Sequence, residues 1–281
     1  MSLIEHIREL RNRVLKALLA ASVGAVAGWF LEPAVWKVIQ APYCKLPMKL
    51  VGAAVPHGTS CPLYVTGLFD SLFLRLKLAI AIGIIIAAPI WLYQLWAFLA
   101  PGLHARERRW AYFFAGAAIP LFAMGGAIAY FAMTKGLRFL LSVVPHNVVP
   151  IITINTYLGY ASAMLLIFGL AFELPLVMIL LNVAGILTHQ RFAKWRRMIV
   201  FGVFAFAAVA TPSPDPISML LLAVPCVVLV EAAEVFAWAN DRRRARRGVV
   251  YPGLTPEEIS EYGLDSEPAM APDFDDIEAG R

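Results

Sequence analysis

The sequence predicts an all-α polytopic membrane protein with six transmembrane helices, preceded by an amphipathic helix. Of its 281 residues 60% are hydrophobic and only 15% charged, with a mean hydropathy of +0.71. That balance lies far from a soluble domain of this length. The apolar residues gather into charge-free runs, several of which approach the roughly 20 residues a helix needs to cross a bilayer. Lys and Arg collect at alternate ends of these runs, as they do in the cytoplasmic loops of membrane proteins.

Ser2 with Glu5 reads as a capping box at the start of the first element. Leu3, Ile7, Leu10 and Val14 then share one helical face, predicting an amphipathic helix that lies on the membrane surface before turning into the first span. That span is the run 17–31. Residues 32–67 read as an outer loop, too long for a simple connector. The runs 78–100, 110–134 and 157–188 give the next three spans, the last broken only by Glu173. Two shorter runs, 198–210 and 217–230, form a hairpin around the corner "TPSPDPIS". From Met198 the first of them covers only about 20 Å at 1.5 Å per residue, against roughly 30 Å of hydrocarbon. The bilayer thins there, or the hairpin sits partly re-entrant. Pro89, Pro120, Pro175 and Pro225 fall inside four spans and are expected to kink them.

Basic clusters around Arg8, Arg106, Arg191 and Arg242 mark one side, so both termini are expected in the cytoplasm of a cell whose inner membrane holds the chain. Arg75 and Lys77 are then left at the outer mouth of the second span, where they must snorkel. The net charge of +5 is explained by this asymmetry, and nucleic acid is not expected as a partner. The start lacks the small-residue cleavage site of a secretory signal, and residue 1 is read as the mature start. Residues 1–240 form the membrane domain, and 241–281 a basic then acidic, mostly disordered tail. Within that tail Thr255, Pro256 and Glu258 open a short helix. Of three cysteines, Cys226 is read as a small packing residue. Cys44 and Cys61 fall in the first outer loop, where they either bridge or remain thiols.

Between Arg138 and Arg191, Glu173 is the only Asp, Glu, Lys or Arg. A carboxylate at the centre of a bilayer helix costs about 2.5–3.5 kcal/mol on insertion scales, so its retention points to function. The five histidines show no metal-ligand spacing, and there is no HExxH, P-loop or GxSxG pattern. No enzyme activity, metal or cofactor is expected. Glu9 and Glu107 stand among arginines where a cationic ligand can reach them, and a carboxylate can accept two parallel hydrogen bonds from a guanidinium. For Glu9 the plainer alternative is a helical pair with Arg13 four residues on. For Glu107 it is charge balance against its neighbouring arginines.

Four stretches, "HIRELRNRV", "APIWLYQLWAFLAPGLHARERR", "AFELPLVMILL" and "ATPSPDPISMLLLAVP", resemble, in order, the TatC family, the largest subunit of the twin-arginine protein translocase. The resemblance runs from about Leu3 to Asn240. It implies a cupped, glove-like arrangement of the six spans. It also implies a receptor for folded proteins whose N-terminal signal carries two consecutive arginines, with export driven by the proton gradient. By the same resemblance Glu9 and Glu107 bind the signal, with Leu10 and Arg11 in the N-terminal motif of Glu9; family members also use a proline of an "AP" pair in the first outer loop, matching Pro42, and the Phe of "WAF", matching Phe98. Glu173, with Asp215 and Met219 at the last corner, lies where the single-span subunits TatA and TatB dock, and other copies of the chain assemble. Many members carry Gln where Met219 stands, so Ser213 or Ser218 is expected to complete the polar cluster. A different class remains open: a proton-coupled transporter of small solutes with Glu173 as the titrating group.

Overall fold

The computed structural model describes residues 3–46, 63–99, 108–145, 150–213 and 215–245. These hold eight helices: α1 Leu3–Cys44, α2 Asp70–Ile86, α3 Ala88–Leu99, α4 Arg108–Ser142, α5 Ile154–Ala171, α6 Leu174–Val183, α7 His189–Ala210 and α8 Pro216–Ala245. Extended pairing among the described residues is confined to one bridge between Tyr64 and Thr153. Ser2 and the Glu5 side chain of the expected capping box, and all of the tail beyond Ala245, lie outside the described residues.

The first helix corrects two expectations. It is one helix of 42 residues, so the amphipathic segment continues into the first span without a turn. No Gly or Pro occurs from Leu3 to Val23, and the Leu, Arg, Lys and Ala found there are good helix formers. The outer loop also begins later than expected, after Cys44, because Pro33 and Pro42 both lie inside the helix. Pro42 has no N–H to offer the carbonyl of Val38. The Tyr130 hydroxyl donates to that carbonyl instead at 3.3 Å, and the Tyr157 hydroxyl donates to Ile39 O at 2.5 Å.

The second apolar run is split into α2 and α3, which meet at a bend of 55°. Pro89 sits in the first turn of α3, where its ring and missing N–H break the preceding helix. The indole N–H of Trp91 donates to Ile84 O across the bend at 2.9 Å. Pro175 marks the start of α6 in the same way. The main-chain carbonyl four residues before it, that of Ala171, receives the Cys226 thiol at 3.8 Å. Pro120 and Pro225 lie inside α4 and α8, which continue unbroken.

Among the described residues four spans are long and apolar enough to cross a membrane, five if the bent α2–α3 pair is one span. The remaining segment is α7, the short one expected. Its partner α8 is not short, for it runs 30 residues to Ala245. The boundary drawn between 240 and 241 therefore falls inside a helix. Asp241 explains the extension: it accepts from the backbone N–H of His189 at 2.7 Å and from the Asn182 amide at 3.0 Å. Arg75 and Lys77 do not merely snorkel. Arg75 Nε lies 3.7 Å from a Glu32 oxygen, and Lys77 donates to Asn155 Oδ1 at 3.5 Å.

Lipid tails give no hydrophobic drive between helices, so small residues that admit close backbones decide the pairing. A Cβ added to Gly24 of α1 would stand 2.6 Å from the Gly83 carbonyl of α2, and one on Gly125 of α4 would stand 2.5 Å from Phe168 O of α5. Two apolar clusters result. The larger joins the far half of α1 to α4, α5 and α8, while a smaller one packs Leu92 and Trp96 of α3 against Phe114 of α4 and Leu176 of α6.

Candidate functional site

The first site lies where the start of α1 meets α3. Glu9 is half-buried, and Arg13 donates to its Oε1 from Nε at 3.0 Å and from Nη2 at 2.6 Å. The helical pair named above as the plainer alternative therefore exists. It does not stand alone, since Arg13 also donates to Gln94 Oε1 on α3 at a long 3.5 Å. One turn beyond Gln94 comes Phe98, half-buried near the end of α3. Leu10 and Arg11 are exposed beside Glu9. Glu107 lies outside the described residues.

Pro42 does not join this group. It is buried in the last turn of α1, and from Glu9 to Pro42 the helix rises about 50 Å at 1.5 Å per residue. Its position is accounted for by the Tyr130 hydroxyl that replaces its missing donor. Gln94 had no place in the sequence-derived set. The signal for it was a polar residue inside an apolar run, one turn before Phe98.

Glu173 lies at the break between α5 and α6, where it is the N-cap residue without a capping hydrogen bond. It is only 5% exposed, so it does not face an open hollow within this chain. Its carboxyl oxygens have no hydrogen-bond partner, and the bond to a carbonyl freed by Pro175 is not made. The Trp96 indole N–H approaches the carboxyl, but the geometry falls short of a hydrogen bond and both groups are left unsatisfied. Trp96 is 1% exposed and stacks on Phe114 with ring centres 5.5 Å apart.

A separate polar cluster occupies the corner before α8. Asp215 accepts from the Ser218 backbone N–H at 2.6 Å and from the Ser213 hydroxyl, capping the helix as an N-terminal acid should. Ser213 takes part with its hydroxyl and Ser218 through its backbone N–H, whereas Met219 packs against the apolar core. The buried hydroxyls of Tyr160 and Ser218 have no partner, and both stand over Gly136, where any side chain would collide with them. Tyr160 precedes Glu173 along α5 by about 20 Å of helix rise. Glu173 and the Asp215 cluster are thus two sites at different depths. Cys44 is disulfide-bonded and Cys226 is a free, buried thiol. Cys61 lies outside the described residues.

The family model for Sec-independent protein translocase protein (TatC) matches residues 5–225. The Sec-independent protein translocase protein TatC of Frankia casuarinae is 45% identical over 271 residues, covering 95% of this chain and 74% of its own. Its counterpart from Carboxydothermus hydrogenoformans is 35% identical over 234 residues, covering 83% of this chain and 91% of its own. A crystal structure of the twin arginine translocase receptor TatC superposes with a TM-score of 0.68 at 28% identity, over 83% of this chain and 99% of that one.

Proposed function

Since the chain belongs to the TatC family of Sec-independent protein translocase proteins, we propose that it is the signal-recognising receptor subunit of a twin-arginine translocase. It resides in the cytoplasmic membrane with both termini inside, and it makes no covalent change in its cargo. One observation carries this reading: the half-buried carboxylate of Glu9 is already engaged by a guanidinium. Both Arg13 donors go to Oε1, and Oε2 is the oxygen open to an incoming arginine. Gln94 and Phe98 on α3 supply a polar and an apolar wall beside it. Glu107, between α3 and α4 in sequence, takes the second arginine of the signal.

Glu173 and the Asp215 cluster are the docking points for TatA and TatB, and further copies of the chain complete the complex. The proton gradient drives the export step. A carrier of small solutes that uses Glu173 as a titrating acid has no observation in its favour once the family is known. The test is capture of a signal peptide bearing Arg-Arg by the membrane-embedded receptor, beside the same peptide bearing Lys-Lys. Lys presents a point charge rather than a planar fork, so the Arg-Arg peptide should bind the more tightly. Equal binding, or undiminished capture by the Glu9→Ala, Glu107→Ala double variant, would sink the assignment.

A further inference from the structure

Trp96 has no role in the function proposed above, yet it is among the most buried large side chains of the protein. Its indole N–H approaches the Glu173 carboxyl, which stands at the break between α5 and α6. Two adjacent buried polar groups left unsatisfied are unusual, because each loses its water without gaining a partner.

The same short helix reaches the other site. α3 holds only the 12 residues Ala88–Leu99 and is set off from α2 by the 55° bend. Gln94 and Phe98 occupy one side of it, at the Glu9 site. Leu92 and Trp96 are buried on another side, within the cluster that includes Phe114 and Leu176. A ligand that pulls on Gln94 and Phe98 therefore moves Trp96 as part of the same rigid turn and a half of helix. A packed cluster responds to such a pull by switching between discrete arrangements rather than by stretching.

We infer that Trp96 is a positioning residue that covers Glu173 in the resting receptor, and that a signal bound at Glu9, Gln94 and Phe98 shifts α3 and uncovers the acid for a partner helix. This rests on the signal-binding reading of the Glu9 site and adds how that site addresses the docking site. It also explains how a docking acid can be 5% exposed in the chain without its partners.

Dicyclohexylcarbodiimide, an apolar reagent that modifies protonated carboxyls within membranes, tests the inference on the full-length chain in lipid nanodiscs. Modification at Glu173 is followed by peptide mass analysis, with Glu173→Gln as the background, and peptide binding is measured in the same samples. The resting receptor should react slowly. A minor open state made dominant by a bound Arg-Arg peptide should raise the rate about tenfold or more, while a Lys-Lys peptide should not. Trp96→Ala should react fast without peptide and gain nothing from it. Trp96→Phe keeps a ring over the acid and the stack on Phe114, and should behave as the parent chain does. A peptide that binds yet leaves the rate unchanged overturns the inference, as does a Trp96→Ala rate equal to the parent's. If the Arg-Arg peptide fails to bind at all, the signal-binding reading fails instead, and the Trp96→Ala rate alone then decides whether the indole covers Glu173.

Discussion

Glu9 and Glu173 show how differently two carboxylates can be placed in one membrane protein. Glu9 sits at an open helix end and is matched by an arginine of its own chain. Removing it should leave folding almost untouched, since substitutions at such positions seldom exceed about 0.5 kcal/mol. A hydrogen bond to a charged group contributes about 1.5–3 kcal/mol. Glu9→Ala should accordingly weaken Arg-Arg peptide binding roughly tenfold or more, read by titration against an unchanged protein level. Glu173 is buried, and on the proposed function substitution there should act on docking rather than on capture. Glu173→Gln has the same shape, still donates and accepts, and should keep most export. Glu173→Leu should leave the protein abundant, because the insertion cost is relieved, while crosslinks to TatA and TatB at this depth shift. Loss of export in the Gln variant with assembly intact would mean that the acid must titrate. Of the residues around these acids, Glu173 was legible in the sequence because a lone charge in an apolar run stands out from every neighbour. Gln94 and Trp96 were not, because a single amide or indole in such a run acquires meaning only from what it packs against.

At the scale of elements, close packing and main-chain accounting decide which helices stay together. Gly83 of α2 meets the backbone of Gly24 and Ala25 in α1, so a methyl group there forces the helices apart. Gly83→Ala should lower stability by about 1–3 kcal/mol, the usual range for overpacking, as seen in thermal unfolding in detergent. Gly116 of α4 has open space where a Cβ would stand. Gly116→Ala should be neutral, or stabilising by up to about 1 kcal/mol through helix propensity. Equal effects at the two positions would contradict the packing described. The prolines divide on the same accounting. Pro89 and Pro175 end helices, while Pro42 stays inside one because the Tyr130 hydroxyl serves the carbonyl it leaves bare. Sequence shows every proline, but only the neighbours show which main-chain gaps are filled.

Over the whole molecule, two ties hold opposite ends of the helix set. At one end Asp241 joins α6, α7 and α8 through the His189 backbone and the Asn182 amide, with Asn240 donating to Asn182 Oδ1 at 2.9 Å. Asp241→Ala removes charged hydrogen bonds worth about 1.5–3 kcal/mol each, and the last turns of α8 should lose hydrogen-exchange protection first. Protection equal to the parent's would show that apolar packing alone holds α8 in place. At the other end Cys44 is disulfide-bonded, and Cys61 is the partner we propose. Thiol alkylation should label two more cysteines after reduction than before, and Cys61→Ser should abolish the difference. A closed loop of this length stabilises by about 3 kcal/mol in the chain-entropy model.

The helical membrane class, the order of the apolar segments and the intramembrane acid all follow from hydropathy and charge spacing, which are properties of the chain read one residue after another. The motif residues around Glu9 were equally visible, because they recur as short contiguous strings. Where helices begin and end was less so. α1 absorbs an expected surface helix and part of an expected loop, and α8 outruns its apolar stretch, because partners distant in sequence satisfy the groups that would otherwise end them. The grouping of sites was decided by tertiary structure alone. Pro42 lies about 50 Å from Glu9 along one helix. Asp215 separated from Glu173 because α5 spans the distance between them. Trp96 came to lie near Glu173 because α3 packs with Phe114 of α4 and Leu176 of α6 in one apolar cluster, and no spacing along the chain records a contact made across that fold.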